Sequence, residues 1–124
     1  MVMAALLSAC ASNPRPRSPQ GRPAAKIGAK QEGTASWYGP DFHGKRTACG
    51  ERFDQEALTA AHGSWPCGTR VKVTLVQTGR SVVVTINDLF RGHKGRVIDV
   101  SRGAARAIGL LGPGTGRVRL EVVR

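Results

Sequence analysis

Alternation of aliphatic and polar side chains is sharpest over Arg70-Val71-Lys72-Val73-Thr74-Leu75-Val76, a period of two that marks a half-buried strand. A second run, Arg80 to Ile86, is rich in Val, and Gln77-Thr78-Gly79 between the two reads as a hairpin turn. Thr34 to Tyr38 is a shorter strand, stopped by Gly39-Pro40. Gly95 to Val100 and Arg117 to Val123 are two more. One helix is predicted, Ser101 to Leu110, with Ser101 as its N-cap and Gly112-Pro113 just past its end. Residues 39 to 69 read mostly as loop, with a turn of helix at Gln55 to Ala61. Five or six short strands with a single helix predict a mainly β domain, and closure into a small barrel is the arrangement that leaves no strand edge bare.

Upstream of the first strand the pattern disappears. From Ala11 to about Lys30 the residues are Pro, Ser, Ala, Gly and basic side chains, with Ile27 as the sole bulky aliphatic. Such a segment buries too little to offset its ordering entropy, so residues 11–31 read as a disordered tether and 32–124 as the folded domain. Residues 1–10 read as the remnant of a signal peptide. Leu7-Ser8-Ala9-Cys10 resembles a lipobox, with Cys10 the lipidated residue and Ala11, rather than Asp, at the position that favours the outer membrane. The apolar run before it is short and no Lys or Arg precedes it, which leaves the true start open.

Charge then narrows the partners. The formal net charge is +11, and residues 31 to 124 carry fourteen Lys and Arg against eight acids, a net of +6. A basic surface attracts nucleic acid, anionic lipid or anionic wall polymer alike. Export removes nucleic acid from that set and leaves the envelope: the membrane, through the lipid anchor, and the wall. Two cysteines remain once Cys10 is committed to lipid, and an oxidising compartment predicts a Cys49–Cys67 disulfide, the alternative being two buried thiols.

Three titratable groups are placed for chemistry. Glu51 lies in the loop-like Thr47-Ala48-Cys49-Gly50-Glu51-Arg52, and His62 closes Ala57-Leu58-Thr59-Ala60-Ala61-His62. Asp88 follows Val82-Val83-Val84-Thr85-Ile86-Asn87, where a buried strand emerges. A carboxylate held there is suited to donating a proton. The alternatives stay open at this point: Glu51 paired with Arg46 or Arg52, and Asp88 capping a turn.

The order of motifs carries more. Gly33-Thr34-Ala35-Ser36-Trp37-Tyr38-Gly39, Phe42-His43-Gly44-Lys45-Arg46-Thr47-Ala48 and Gly50-Glu51-Arg52-Phe53-Asp54 closely resemble the rare lipoprotein A family. So do Ala57 to His62, Gly68-Thr69-Arg70-Val71, Asn87-Asp88 and Gly95-Arg96-Val97-Ile98-Asp99, so the resemblance runs from Gly33 to Val123. It implies a six-stranded double-psi β-barrel, and a lipoprotein that cleaves peptidoglycan glycan strands as a lytic transglycosylase. It also implies catalytic roles for Glu51, His62 and Asp88. A glycan-binding, expansin-like module is the alternative. The chain departs from the family after Asp88, where Leu89-Phe90-Arg91-Gly92 replaces the usual Arg-Gly-Pro-Phe. No repeat domain for peptide-stripped glycan is expected after Arg124.

In the implied reaction the substrate's own 6-hydroxyl attacks the anomeric carbon, so one acid/base, Asp88, suffices. Glu51 and His62 then orient the sugar or tune Asp88. Trp37 and Tyr38 are candidates for stacking on a sugar, against a place in the core. His43 and Asn87 complete the predicted substrate-binding set, His43 lining the groove or bonding to backbone. Asp54 and Asp99 read as structural and His93 as a loop residue. No cofactor is expected, the His and Cys spacing gives no zinc motif, and a monomer is expected.

Overall fold

The computed structural model describes residues 23–90, 92 and 95–124. The predicted leader, Cys10 and His93 lie outside the described residues, as does the tether up to residue 22. Six strands close into a barrel: β1 (Lys30–Trp37), β2 (Thr59–His62), β3 (Arg70–Leu75), β4 (Ser81–Leu89), β5 (Arg96–Val100) and β6 (Thr115–Val123), in the order β1-β5-β2-β4-β3-β6. Four neighbouring pairs are antiparallel, whereas β1–β5 and β2–β4 are parallel. The first strand begins at Lys30, two residues ahead of the expected domain boundary, because Lys30 and Gln31 pair with Glu121 and Leu120 of β6. The expected helical turn at Gln55–Ala61 is replaced over its last part by β2, a short strand held between β4 and β5.

The core fills the barrel with alternate residues of the strands: Ala35, Ala60, Val71, Val73, Val84, Ile86, Ile98, Val100, Val118 and Leu120. The helix α1 (Arg102–Ile108) adds Ala104, Ala105 and Ile108 to it. Ser101 caps α1, its buried Oγ accepting from the Ala104 amide at 3.2 Å and donating to the Ala57 carbonyl at 2.5 Å. A cap of this kind satisfies a helix N–H that would otherwise lack a partner. Gly103 permits the docking of α1, since a Cβ there would stand 2.3 Å from the Glu56 carbonyl oxygen. No described helix is long and apolar enough to cross a membrane.

Candidate active site on the outer face of the parallel strands

Two register shifts decide which side chains leave the barrel. Ala60 pairs with Ile86 and Ala61 with Asp88, so Asn87 is an extra residue in β4. Ile86 faces the core, and the shift brings Asp88 level with Ala61 on the outer face. Likewise Thr34 pairs with Arg96 and Ala35 with Ile98, so Val97 is the extra residue of β5 and Asp99 is level with Ser36. Bulges commonly re-aim a side chain next to a working site. Gly33 admits this one, for a Cβ there would meet Val97 Cγ1 at 2.5 Å. The result is a row across four strands: Ser36, Asp99, Ala61 and Asp88.

Asp88 accepts from the Tyr38 hydroxyl at 3.0 Å, from the Ala48 amide at 2.9 Å and from the following Leu89 amide at 2.9 Å. The Ala48 contact ties the long loop to β4. Residues 47–51 form a tight turn there, Gly50 N–H donating to the Thr47 carbonyl and Thr47 N–H to the Glu51 carbonyl. Glu51 sits on that turn, exposed, without a side-chain hydrogen bond or ion pair to the described residues. Arg46 and Arg52 donate to the backbone oxygens of Gly50 and Gly44 instead. Cys49 and Cys67 are joined by a disulfide, their Cα atoms 6.0 Å apart, which anchors the turn beside Ala48.

His62 stands elsewhere. Alternation along β2 turns it away from Ala61 and Asp88, and it is only 2% exposed. Its Nδ1 accepts from the Ser64 and Trp65 amides at 3.1 and 3.0 Å, which leaves the ring proton on Nε2, facing Gln31 Oε1 at 2.7 Å. Trp65 stacks on the imidazole with centroids 4.1 Å apart. The backbone carbonyl of His62 accepts from Phe90 N–H, two residues past Asp88. His62 is thus held at the end of β2 by the Ser64 and Trp65 amides, on the other face of the strand from Asp88.

The predicted binding residues also move. Tyr38 is 6% exposed, its ring stacked on Phe53 at 4.4 Å, and Trp37 packs against the core, so neither offers a ring face to a sugar. What Tyr38 contributes is its hydroxyl, whose pKa burial, then the charge of Asp88, push up. Asn87 is 3% exposed, with its Oδ1 unpartnered among the described residues, and is not a surface contact either. His43 is exposed, and its Nδ1 accepts from the Gln55 amide at 3.1 Å. Asp54 accepts from the Glu56 amide and closes a turn.

Two further residues lie near Asp88 or its row: Phe42, which the sequence reading did not single out, and Asp99, which it read as structural. Phe42 is 50% exposed and meets Tyr38 edge-on at 5.5 Å, an open aromatic ring close to Asp88. Its signal was an isolated aromatic among polar loop residues. Asp99 accepts from Ser36 Oγ at 2.8 Å and lies 4.0 Å from Arg96, whose guanidinium also donates to Ser36. Burial raises the pKa of Asp99 and the charge of Asp88 adds to this, while Ser36 and Arg96 oppose it. Its signal was the period of two from Ile98 to Val100, which turns Asp99 outward. Among the described residues, no group of three or more His, Cys, Asp or Glu is placed to hold a metal. A hollow of about 300 Å³ on the β1–β6–β3 side is lined by charges of both signs, including Lys30, Glu32, Lys72, Arg119 and Glu121.

The family model described as lytic transglycolase matches residues 30–120. A probable endolytic peptidoglycan transglycosylase RlpA of Synechocystis sp. is 60% identical over 101 residues, covering 82% of this chain and 32% of the relative. The endolytic peptidoglycan transglycosylase RlpA of Campylobacter jejuni is 48% identical over 97 residues, covering 78% and 35%. The chain thus spans about a third of the length of such curated relatives. Among solved structures, a Streptomyces papain inhibitor superposes with a TM-score of 0.64 at 25% identity, over 79% of this chain and 97% of that one. With the motifs, the closed six-stranded barrel and the match from residue 30 to 120 in agreement, the chain belongs to the lytic transglycolase family, as a double-psi β-barrel domain of the rare lipoprotein A type.

Proposed function

We propose that the domain is a lytic transglycosylase that cleaves the MurNAc–GlcNAc bond within peptidoglycan strands and leaves 1,6-anhydro-MurNAc ends. The observation that carries this is Asp88, turned out of the barrel by the extra residue Asn87 and fixed by the Tyr38 hydroxyl and the Ala48 amide. A rigid carboxylate on an open face fits a reaction whose nucleophile, the 6-hydroxyl, belongs to the substrate. Phe42 offers a ring for a sugar to lie on, Glu51 meets the glycan from the disulfide-anchored turn, and His62 acts by positioning. The names of the curated relatives support the same chemistry.

Lipidation of Cys10, an outer-membrane location facing the periplasm, and a monomeric state complete the proposal. Acyl chains supply the membrane affinity in this scheme, so Cys10→Ala releases the protein to the soluble periplasmic fraction.

The test is mass spectrometry of purified sacculi after incubation with the soluble domain. Anhydro-muramyl products support the enzyme; co-sedimentation with sacculi left chemically unchanged overturns it in favour of a binding module.

A further inference from the structure

We infer that Asp99 is a second catalytic residue, the proton donor to the glycosidic oxygen, with Asp88 as its complementary base; this rests on the transglycosylase reading above. The argument begins with placement. Asp99 and Asp88 flank Ala61 in the same row, two strand spacings or about 10 Å apart along the sheet. Ala61 lies between them, 2% exposed and packed with Tyr38 and Phe53, so the two carboxyls stand on either side of a small apolar cluster. The two carboxylates are dressed differently. Among the described residues, every hydrogen bond to Asp88 comes from a donor aimed at its oxygens, the arrangement of a proton acceptor. Asp99 has a side chain only 19% exposed, with a single hydroxyl donating to it at 2.8 Å. Among the described residues, the groups facing Asp99 are Ser36 from β1, Tyr38 just past its end, Arg96 from its own strand and Asp88 from β4, while β2 presents Ala61. Their sum, dominated by burial, holds the Asp99 pKa above the ordinary carboxylate value. A half-buried carboxyl beside a second carboxylate that is held by three donors is an arrangement that can divide acid and base roles.

The step balances without water. The Asp99 carboxyl passes its proton to the bridging oxygen as the C1–O bond breaks and its electron pair stays with that oxygen. The 6-hydroxyl oxygen bonds to C1, and its proton goes to the Asp88 carboxylate. Proton exchange with solvent then resets both carboxyls, while the Tyr38 hydroxyl holds Asp88 in place.

The test is the pH dependence of anhydro-muramyl product release. Asp99→Asn is expected to lose about 100-fold or more in rate, together with the alkaline limb, while still sedimenting with sacculi. Ser36→Ala removes the hydroxyl that lowers the Asp99 pKa, so its alkaline limb should move to higher pH. Because this second variant keeps both carboxyls, it decides the matter even where Asp99→Asn fails to fold. An active wild type with the Ser36→Ala limb unmoved overturns the role of Asp99 alone. A wild type that releases no product at any pH overturns the transglycosylase reading.

Discussion

The two halves of the barrel are built to different rules. In β3 and β6 pairing is antiparallel and continuous, from Arg70↔Val123 to Leu75↔Val118, and burial alternates residue by residue. In β1, β5, β2 and β4 two of the three pairings are parallel, both parallel pairings carry a register shift, and the face outside the barrel holds two aspartates. Shifts of this kind interrupt a ladder and stabilise nothing locally. Both halves feed the core, Val71, Val73, Val118 and Leu120 from one and Ala35, Ile86, Ile98 and Val100 from the other, while the shifts turn two carboxylates toward the outer face of the second half.

The strongest test of that division is Asp88→Asn. The shape is kept but no proton cycles, so product release should fall by roughly 10²–10⁴-fold, with thermal melting little changed. An unaffected rate would break the comparison and move the bet to Glu51. Leu120→Ala in β6 should do the reverse. It removes a fully buried side chain and should cost about 2–5 kcal/mol in denaturant melts, with turnover per folded molecule unchanged.

Reducing the Cys49–Cys67 bridge, which closes 18 residues, should cost roughly 3 kcal/mol in the chain-entropy model. It should also lower turnover, because Cys49 follows Ala48, the amide donor to Asp88; a purely thermal effect would separate the bridge from the site. Phe42→Ala should weaken sacculus binding by about 1 kcal/mol, a part of what full burial of a Phe is worth, and leave the rate at saturation intact. Equal binding by both proteins would remove Phe42 from the groove.

The smallest effect is one of sign. The Asp99 pKa is raised in the folded state, so its stabilising contribution is present below the unfolded carboxylate value and is lost as pH rises through the folded one. Stability of Asp99→Asn relative to wild type should accordingly rise as pH is raised from the unfolded carboxylate value, read from melts across a pH series; a flat difference would contradict the burial of this group.

Legibility in the sequence follows the same divide. The β3–β4 hairpin and β6 are written in alternating Val and Leu, so their strands could be read directly. β2 could not, because Thr59-Ala60-Ala61-His62 has the composition of a helix turn and is a strand only by lying between β4 and β5. Without that strand the face of His62 was undefined, and its burial under Trp65 could not be read. Asp88 was found because it ends an aliphatic run. Its orientation depends on the extra residue Asn87, and nothing local to the sequence announces a register shift. Tyr38 was singled out for its ring, although only the topology shows that its hydroxyl does the work.

One feature of the topology bears on how the molecule comes into being. β1 is hydrogen-bonded on one side to β6 and on the other to β5, so both its neighbours are made in the last third of the chain. A chain made N-terminus first presents Lys30–Trp37 with nothing to pair against until Arg96–Val100, and then Thr115–Val123, have followed. Pairings this distant in sequence slow folding, since chain closure comes before any contact repays it. Closure of this barrel therefore waits for its last strand, and until then β1 lacks the longer of its two hydrogen-bonded neighbours.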